Sequence, residues 1–157
     1  MKILIFDTET GGLNAYRNDI LQLSFQVIDG DTFHTLLESN YYFPWPEDKR
    51  RVEWGTIQVN GLTEEFLATQ DVYDRYEVLN FFIDELMDCD LCVAHNGEFD
   101  LNLIFNKMGD RCRPTAIELL FLQFKTNLLS HRKLFIRHDS NNQSSAEGRL
   151  RPLCSYQ

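Results

Sequence analysis

The sequence predicts an α/β domain, a mixed sheet flanked by helices. Three observations carry that prediction. Strand-like segments follow one another over the first forty or so residues, an apolar helical period runs over 72–87, and a short apolar run at 91–95 leads straight into a second helical period. The chain of 157 residues suits one domain with a sizeable core. Hydrophobic residues make up 43% and aromatic residues 13%, with 12 Phe, so an aromatic-rich core is expected.

Residues 2–7, with the run Ile3-Leu4-Ile5-Phe6, read as a first buried strand. Residues 20–28 alternate well enough for a second, Asp29-Gly30 signals a hairpin, and Thr32 to Phe43 reads as a third strand antiparallel to the second. Pro44-Trp45-Pro46 ends it. Residues 51–58 and 63–68 suggest short helices, and Tyr76, Leu79, Phe82, Ile83 and Leu86 mark one face of a longer helix over 72–87. Residues 91–95 form a fourth strand and 97–108 the next helix, while Pro114 to Leu129 reads as helix only weakly. There is no internal repeat and no linker that divides the chain.

The chemistry concentrates where the first strand ends, at Asp7-Thr8-Glu9-Thr10-Gly11-Gly12-Leu13. Side chains at i and i+2 of a strand share a face, so Asp7 and Glu9 project together. Two adjacent carboxylates repel, and a hard divalent cation with oxygen ligands offsets that cost. Gly11-Gly12 permits a sharp turn and the close approach of another group. The second concentration is His95-Asn96-Gly97-Glu98-Phe99-Asp100, directly after the fourth strand. Asn96 is a favoured N-cap residue, which places Asp100 about one turn into the following helix. Ligands of α/β sheets gather beyond the carboxyl ends of strands, where Asp100 can join Asp7 and Glu9. Either segment alone is better explained as a hydrated strand end or an acidic first helical turn.

Together, Asp-x-Glu-Thr-x-Gly-Leu at 7–13 and His-Asn-x-x-Phe-Asp at 95–100 resemble the first two motifs of the DEDD superfamily of 3′–5′ exonucleases. Ile57-Gln58-Val59-Asn60-Gly61-Leu62-Thr63 resembles a further segment of that family. The resemblance implies a ribonuclease H-like fold in a single exonuclease-like domain over 1–157. It is carried by residues 1–110, with 114–157 outside it. It implies hydrolysis of phosphodiester bonds at nucleic-acid 3′ ends, as in polymerase proofreading subunits. It also implies Mg²⁺ or Mn²⁺ as cofactor, two ions in the intact family site, held by Asp7, Glu9 and Asp100 as catalytic and metal-binding residues. Thr10, Gly11, Leu13, Asn60 and Asn96 would bind substrate, Leu13 against a base, although Leu13 reads equally as core. His95 is expected to orient the strand end. The implied partners are a single-stranded 3′ end and a DNA polymerase subunit.

The family's third motif, a final Asp behind a His or a Tyr, is missing. Residues 101–157 contain neither His-x4-Asp nor Tyr-x3-Asp; His131 and His138 have the wrong spacing to Asp139, and Phe135 stands where the Tyr would be. The fold is accordingly expected to lack its C-terminal part, as in a truncated product. The alternative function is a catalytically impaired domain of the same fold that binds nucleic acid or a polymerase.

A net charge of −9, from 15 basic and 24 acidic residues, argues against strong non-specific grip on a nucleic-acid backbone. It does not exclude a nuclease whose metal neutralises phosphates locally. Lys49-Arg50-Arg51 is the one basic run and reads chiefly as solvated surface. Cys89-x-x-Cys92 has no second Cys pair of that spacing, with Cys112 and Cys154 elsewhere, so buried reduced thiols are the better reading than zinc. No run approaches a membrane span or a signal-peptide core, so a cytoplasmic protein without membrane contact is expected.

Overall fold

The computed structural model describes residues 1–108 and a strand at 134–137. Five strands form one sheet in the order β3-β2-β1-β4-β5. They are β1 (Lys2–Thr10), β2 (Ile20–Asp29), β3 (Thr35–Tyr42), β4 (Leu91–Ala94) and β5 (Leu134–Arg137). β1 pairs antiparallel with β2, and β2 with β3. β1 pairs parallel with β4, Ile3 opposite Leu91, and β5 runs antiparallel to β4. The mixed sheet flanked by helices is the architecture expected from the sequence, and β5 is an addition to it. The reading of 114–129 as helix lies outside the described residues.

Element ends differ from the expectation for identifiable reasons. β1 continues past Asp7 to Thr10, because Asp7, Thr8 and Glu9 stay in register opposite Ser24, Leu23 and Gln22. β3 starts three residues late. Asp29 Oδ1 accepts the N–H groups of Asp31 and Thr32, and Phe33 takes a positive φ of 59°, so the connection is a wider loop than a two-residue hairpin. The first short helix is split into a 3-10 turn at Lys49–Arg51 and helix α1 (Trp54–Asn60), which ends on Gly61 at φ 72°. Helix α2 is Glu64–Leu67, with the Thr63 side chain accepting from the Phe66 N–H. Helix α3 (Arg75–Met87) begins where Asp74 caps the Glu77 N–H, three residues inside the apolar period. Helix α4 is Gly97–Met108.

The strands alternate as their pattern requires. Leu4 and Phe6 of β1 and Leu23, Phe25 and Val27 of β2 point to one face, which α3 and α4 cover with Leu79, Phe82, Ile83, Leu101 and Ile104. Phe82 stands 5.1 Å from Phe6 and 5.4 Å from Phe25 between ring centroids, so the expected aromatic core is present. The opposite face carries Asp7, Glu9, Gln22 and Ser24. A smaller cluster of Leu21, Ile57, Leu62 and Leu67 fastens α1 and α2 to the rim of the sheet. Among the described residues no helix is long and apolar enough to cross a membrane.

Candidate active site

The parallel pairing of β1 with β4 decides what meets at the sheet's carboxyl end. β4 stops at Ala94, and the Asn96 carbonyl accepts the N–H groups of Phe99 and Asp100 to open α4. Asp100 is thereby carried to β1. It is 3% exposed, and the Thr8 hydroxyl donates to its carboxylate at 2.5 Å. Thr8 faces the helix-covered side of β1, while Asp7 and Glu9 alternate to the other. Asp100 therefore arrives from one side of the strand and Asp7 leaves from the other.

The two carboxylates still sense each other. Burial pushes the Asp100 carboxyl up to about 6; the Thr8 hydroxyl opposes that rise and the charge of Asp7 adds to it. Partial burial also raises Asp7, against the Thr8 N–H and the nearby His95, which both favour its ionised form. Glu9 shares the Asp7 face one pleat further on. Among the described residues, no group of three or more His, Cys, Asp or Glu stands in a metal-holding arrangement. Asp7 and Asp100 thus share the carboxyl end of β1 from opposite sides of the strand.

The turn after β1 is built around glycine. The Gly11 N–H donates to the Asp19 carbonyl, and the Gly11 carbonyl accepts from the Glu53 N–H at 2.6 Å. A Cβ on Gly11 would stand 2.6 Å from the Arg51 carbonyl oxygen, which is backbone and cannot swing aside. Gly11→Ala is therefore expected to cost about 1–3 kcal/mol in urea denaturation. Gly55→Ala, which meets nothing within 4 Å in a helix, is expected to be neutral or stabilising. Thr10 is buried, and its hydroxyl donates to the Gly12 carbonyl, so that side chain braces the turn. Asn60 Nδ2 donates to the Thr10 carbonyl at 3.0 Å, which brings the third sequence segment to the same place. Leu13 is 80% exposed, which removes its reading as a core residue. Asn96 and His95 are exposed beside the start of α4.

Two features escaped the sequence reading. Thr8 holds Asp100, which only the observed packing of α4 on β1 reveals. Asp19, whose side chain is 7% exposed, gathers three cations from three elements: Lys107 of α4 at 2.8 Å, Arg51 at 3.0 Å and Arg75 of α3 at 3.6 Å. Burial alone would raise Asp19, but Lys107, Arg75 and Arg51 outweigh it and hold the carboxyl below its usual value. Because Asp19 also receives the Gly11 N–H on its carbonyl, the cluster ties the turn after β1 to α3 and α4. Arg50 pairs with Asp48 and Lys49 with Glu64, so each member of the basic run has an acidic partner. Cys89 and Cys92 are free and buried; burial pushes the Cys89 thiol up to about 11 and the Cys92 thiol higher still. Cys112, Cys154 and Asp139 lie outside the described residues.

No protein-family model matches the chain. Individual relatives do. The chain is 30% identical over 108 residues to a DNA polymerase III PolC-type of Bacillus subtilis, which covers 67% of this chain and 7% of that protein. It is 26% identical over 127 residues to the DNA polymerase III subunit epsilon of Pasteurella multocida, covering 73% and 46%. It is 28% identical over 134 residues to the 3′–5′ exonuclease DinG of Staphylococcus aureus, covering 78% and 14%. The chain thus spans less than half the length of each. Among solved structures, Escherichia coli exonuclease I in complex with a dA16 oligonucleotide superposes with a TM-score of 0.55 at 18% identity, over 68% of this chain and 24% of that one. The fold is similar to that of exonuclease I, ribonuclease H-like, and the relatives named here are polymerase III components and a 3′–5′ exonuclease. The DEDD 3′–5′ exonuclease family read from the two motifs is the family of these relatives.

Proposed function

We propose that this domain hydrolyses phosphodiester bonds at single-stranded 3′ ends with a divalent cation, Mg²⁺ or Mn²⁺. The observation that carries the reading is the placement of Asp7 and Glu9 on one face of the carboxyl end of β1, with Asp100 delivered to the same strand end by its hydrogen bond from Thr8. Asp7 and Asp100 both have raised pKa values, chiefly through burial, and with Glu9 they offer only oxygen donors, the chemistry that suits a hard cation. That chemistry fits the metal the family implies, with Asp7 and Asp100 holding it and Glu9 next along the same strand. Such a cation supplies charge neutralisation on the phosphate and a lowered pKa of the attacking water.

The chain's own residues do the rest. Thr8 fixes the Asp100 carboxylate. Gly11 makes room for the Arg51 carbonyl that closes the turn, Asn60 pins α1 against Thr10, and Leu13 offers an exposed apolar contact to a base. By analogy with relatives that are polymerase components, a polymerase subunit is the partner, in the cytoplasm, where Cys89 and Cys92 remain reduced. A second reading, a strand-binding domain without turnover, is favoured by the absence of His-x4-Asp and Tyr-x3-Asp after Asp100.

A 3′-labelled single strand incubated with the protein and Mn²⁺ separates the two. Release of mononucleotides that is lost with Asp7→Ala supports hydrolysis, with a slow rate expected. General acid–base assistance contributes roughly 10²–10⁴-fold, and the chain lacks the family's residue for it. Strand retention without release, unchanged by Asp7→Ala, supports the binding domain instead.

A further inference from the structure

The loop that follows the candidate site carries side chains that its chemistry does not use. Tyr16 is 84% exposed and Trp54, the first residue of α1, is 70% exposed. Among the described residues only one other aromatic ring, Phe33 at 72%, is as open as these. Backbone and side-chain bonds draw their two segments together. Arg17 Nε donates to the Arg50 carbonyl at 2.9 Å, Asn18 Nδ2 donates to the Arg51 carbonyl at 3.0 Å, and the Glu53 N–H donates to Gly11. Residues 11–18 and 50–54 therefore form one surface that continues from the Gly11 turn.

The charge on that surface is selective. Lys49, Arg50 and Arg51 each face an acidic partner. Arg17 is exposed, and no ion pair engages it among the described residues. A guanidinium outside any ion pair among the described residues, on segments that also carry two open rings, is an arrangement for a polyanion that also has flat faces. Single-stranded nucleic acid has both: bases stack on aromatic rings and phosphates meet arginine. We propose that Tyr16, Arg17 and Trp54 form a binding strip for the single strand leading to the 3′ end, Tyr16 and Trp54 stacking on bases and Arg17 meeting a phosphate. The strip rests on the functional reading above, and it gives an acidic domain contacts to both the bases and a phosphate of a polyanion.

The test uses the full chain in EDTA, so that no cleavage occurs, with a fluorescein-labelled oligothymidylate followed by anisotropy. Trp54→Ala and Tyr16→Ala are each expected to weaken binding about tenfold. Trp54→Phe, which keeps a ring, should recover most of the loss. Arg17→Ala should lower the slope of log K against log salt by about 0.7. Phe33→Ala, which removes an exposed ring outside the strip, should bind as the parent does. Wild-type binding that Trp54→Ala and Tyr16→Ala leave unchanged overturns the strip, as does a wild type that fails to bind the strand. Neither result touches the carboxylate site, which stands or falls separately on Mn²⁺-dependent release and its loss in Asp7→Ala.

Discussion

Asp19→Ala is expected to destabilise the protein by about 3–5 kcal/mol, the usual cost of leaving buried charges without their partner. Lys107 is only 9% exposed and Arg75 26%, so neither cation can recover full hydration when the carboxylate is removed. Arg51, at 44% exposed, can turn to solvent and contributes less. The loss should show as a lower midpoint in urea with an unchanged slope. Adding Lys107→Met to Asp19→Ala should recover part of the loss, because it removes the most deeply buried orphan charge. The pH dependence has a definite sign. The folded carboxyl lies below its usual value, so its contribution is complete above the unfolded pKa of about 3.9 and is lost as pH falls through the lower folded value. Acid unfolding of the wild type should therefore begin in that window. An Asp19→Ala variant as stable as the wild type at neutral pH would show that the three cations find other partners.

Where the sequence was legible, a local rule decided the outcome. The alternation of Leu4, Phe6, Leu23 and Phe25, the period of Leu79, Phe82, Ile83 and Leu86, and the step from β4 into α4 each need only neighbours in the chain. The same holds for Asp7 and Glu9, whose shared face follows from the pleat. What stayed hidden depends on pairs distant in sequence. Thr8 reads as a spacer between two carboxylates, and nothing near it announces Asp100, ninety-two residues on, as its hydrogen-bond partner. Asp19 reads as a loop residue before a strand; its three cations lie thirty-two or more residues away, and a buried aspartate has no local signature. The basic run Lys49-Arg50-Arg51 reads as solvated surface and is exposed, but the acidic partner of each member stayed hidden. Composition counts charges but does not pair them.

Asp100→Asn is expected to move stability the other way from Asp19→Ala, although both replace a buried aspartate. Asp19 sits among cations; Asp100 sits against Thr8 with only the charge of Asp7 for company. Its folded pKa of about 6 lies above the unfolded value of about 3.9, so the folded state binds a proton that the unfolded state releases. Stability should thus fall as pH rises from about 4 to about 6, and above that window the ionised Asp100 costs roughly 3 kcal/mol. Asparagine keeps the shape and can still accept from the Thr8 hydroxyl, but it carries no charge. In EDTA at neutral pH, Asp100→Asn should therefore unfold at higher urea than the wild type, and its stability should fall less than the wild type's from pH 4 to 6. Adding Mn²⁺ should reverse the order. The cation binds only the folded site, so wild-type stability should rise with its concentration, while the variant, lacking one ligand, should respond weakly. A variant that is less stable than the wild type in EDTA, or that gains as much from Mn²⁺, would show that Asp100 is held by structure alone and is not a metal-binding carboxylate kept under electrostatic strain.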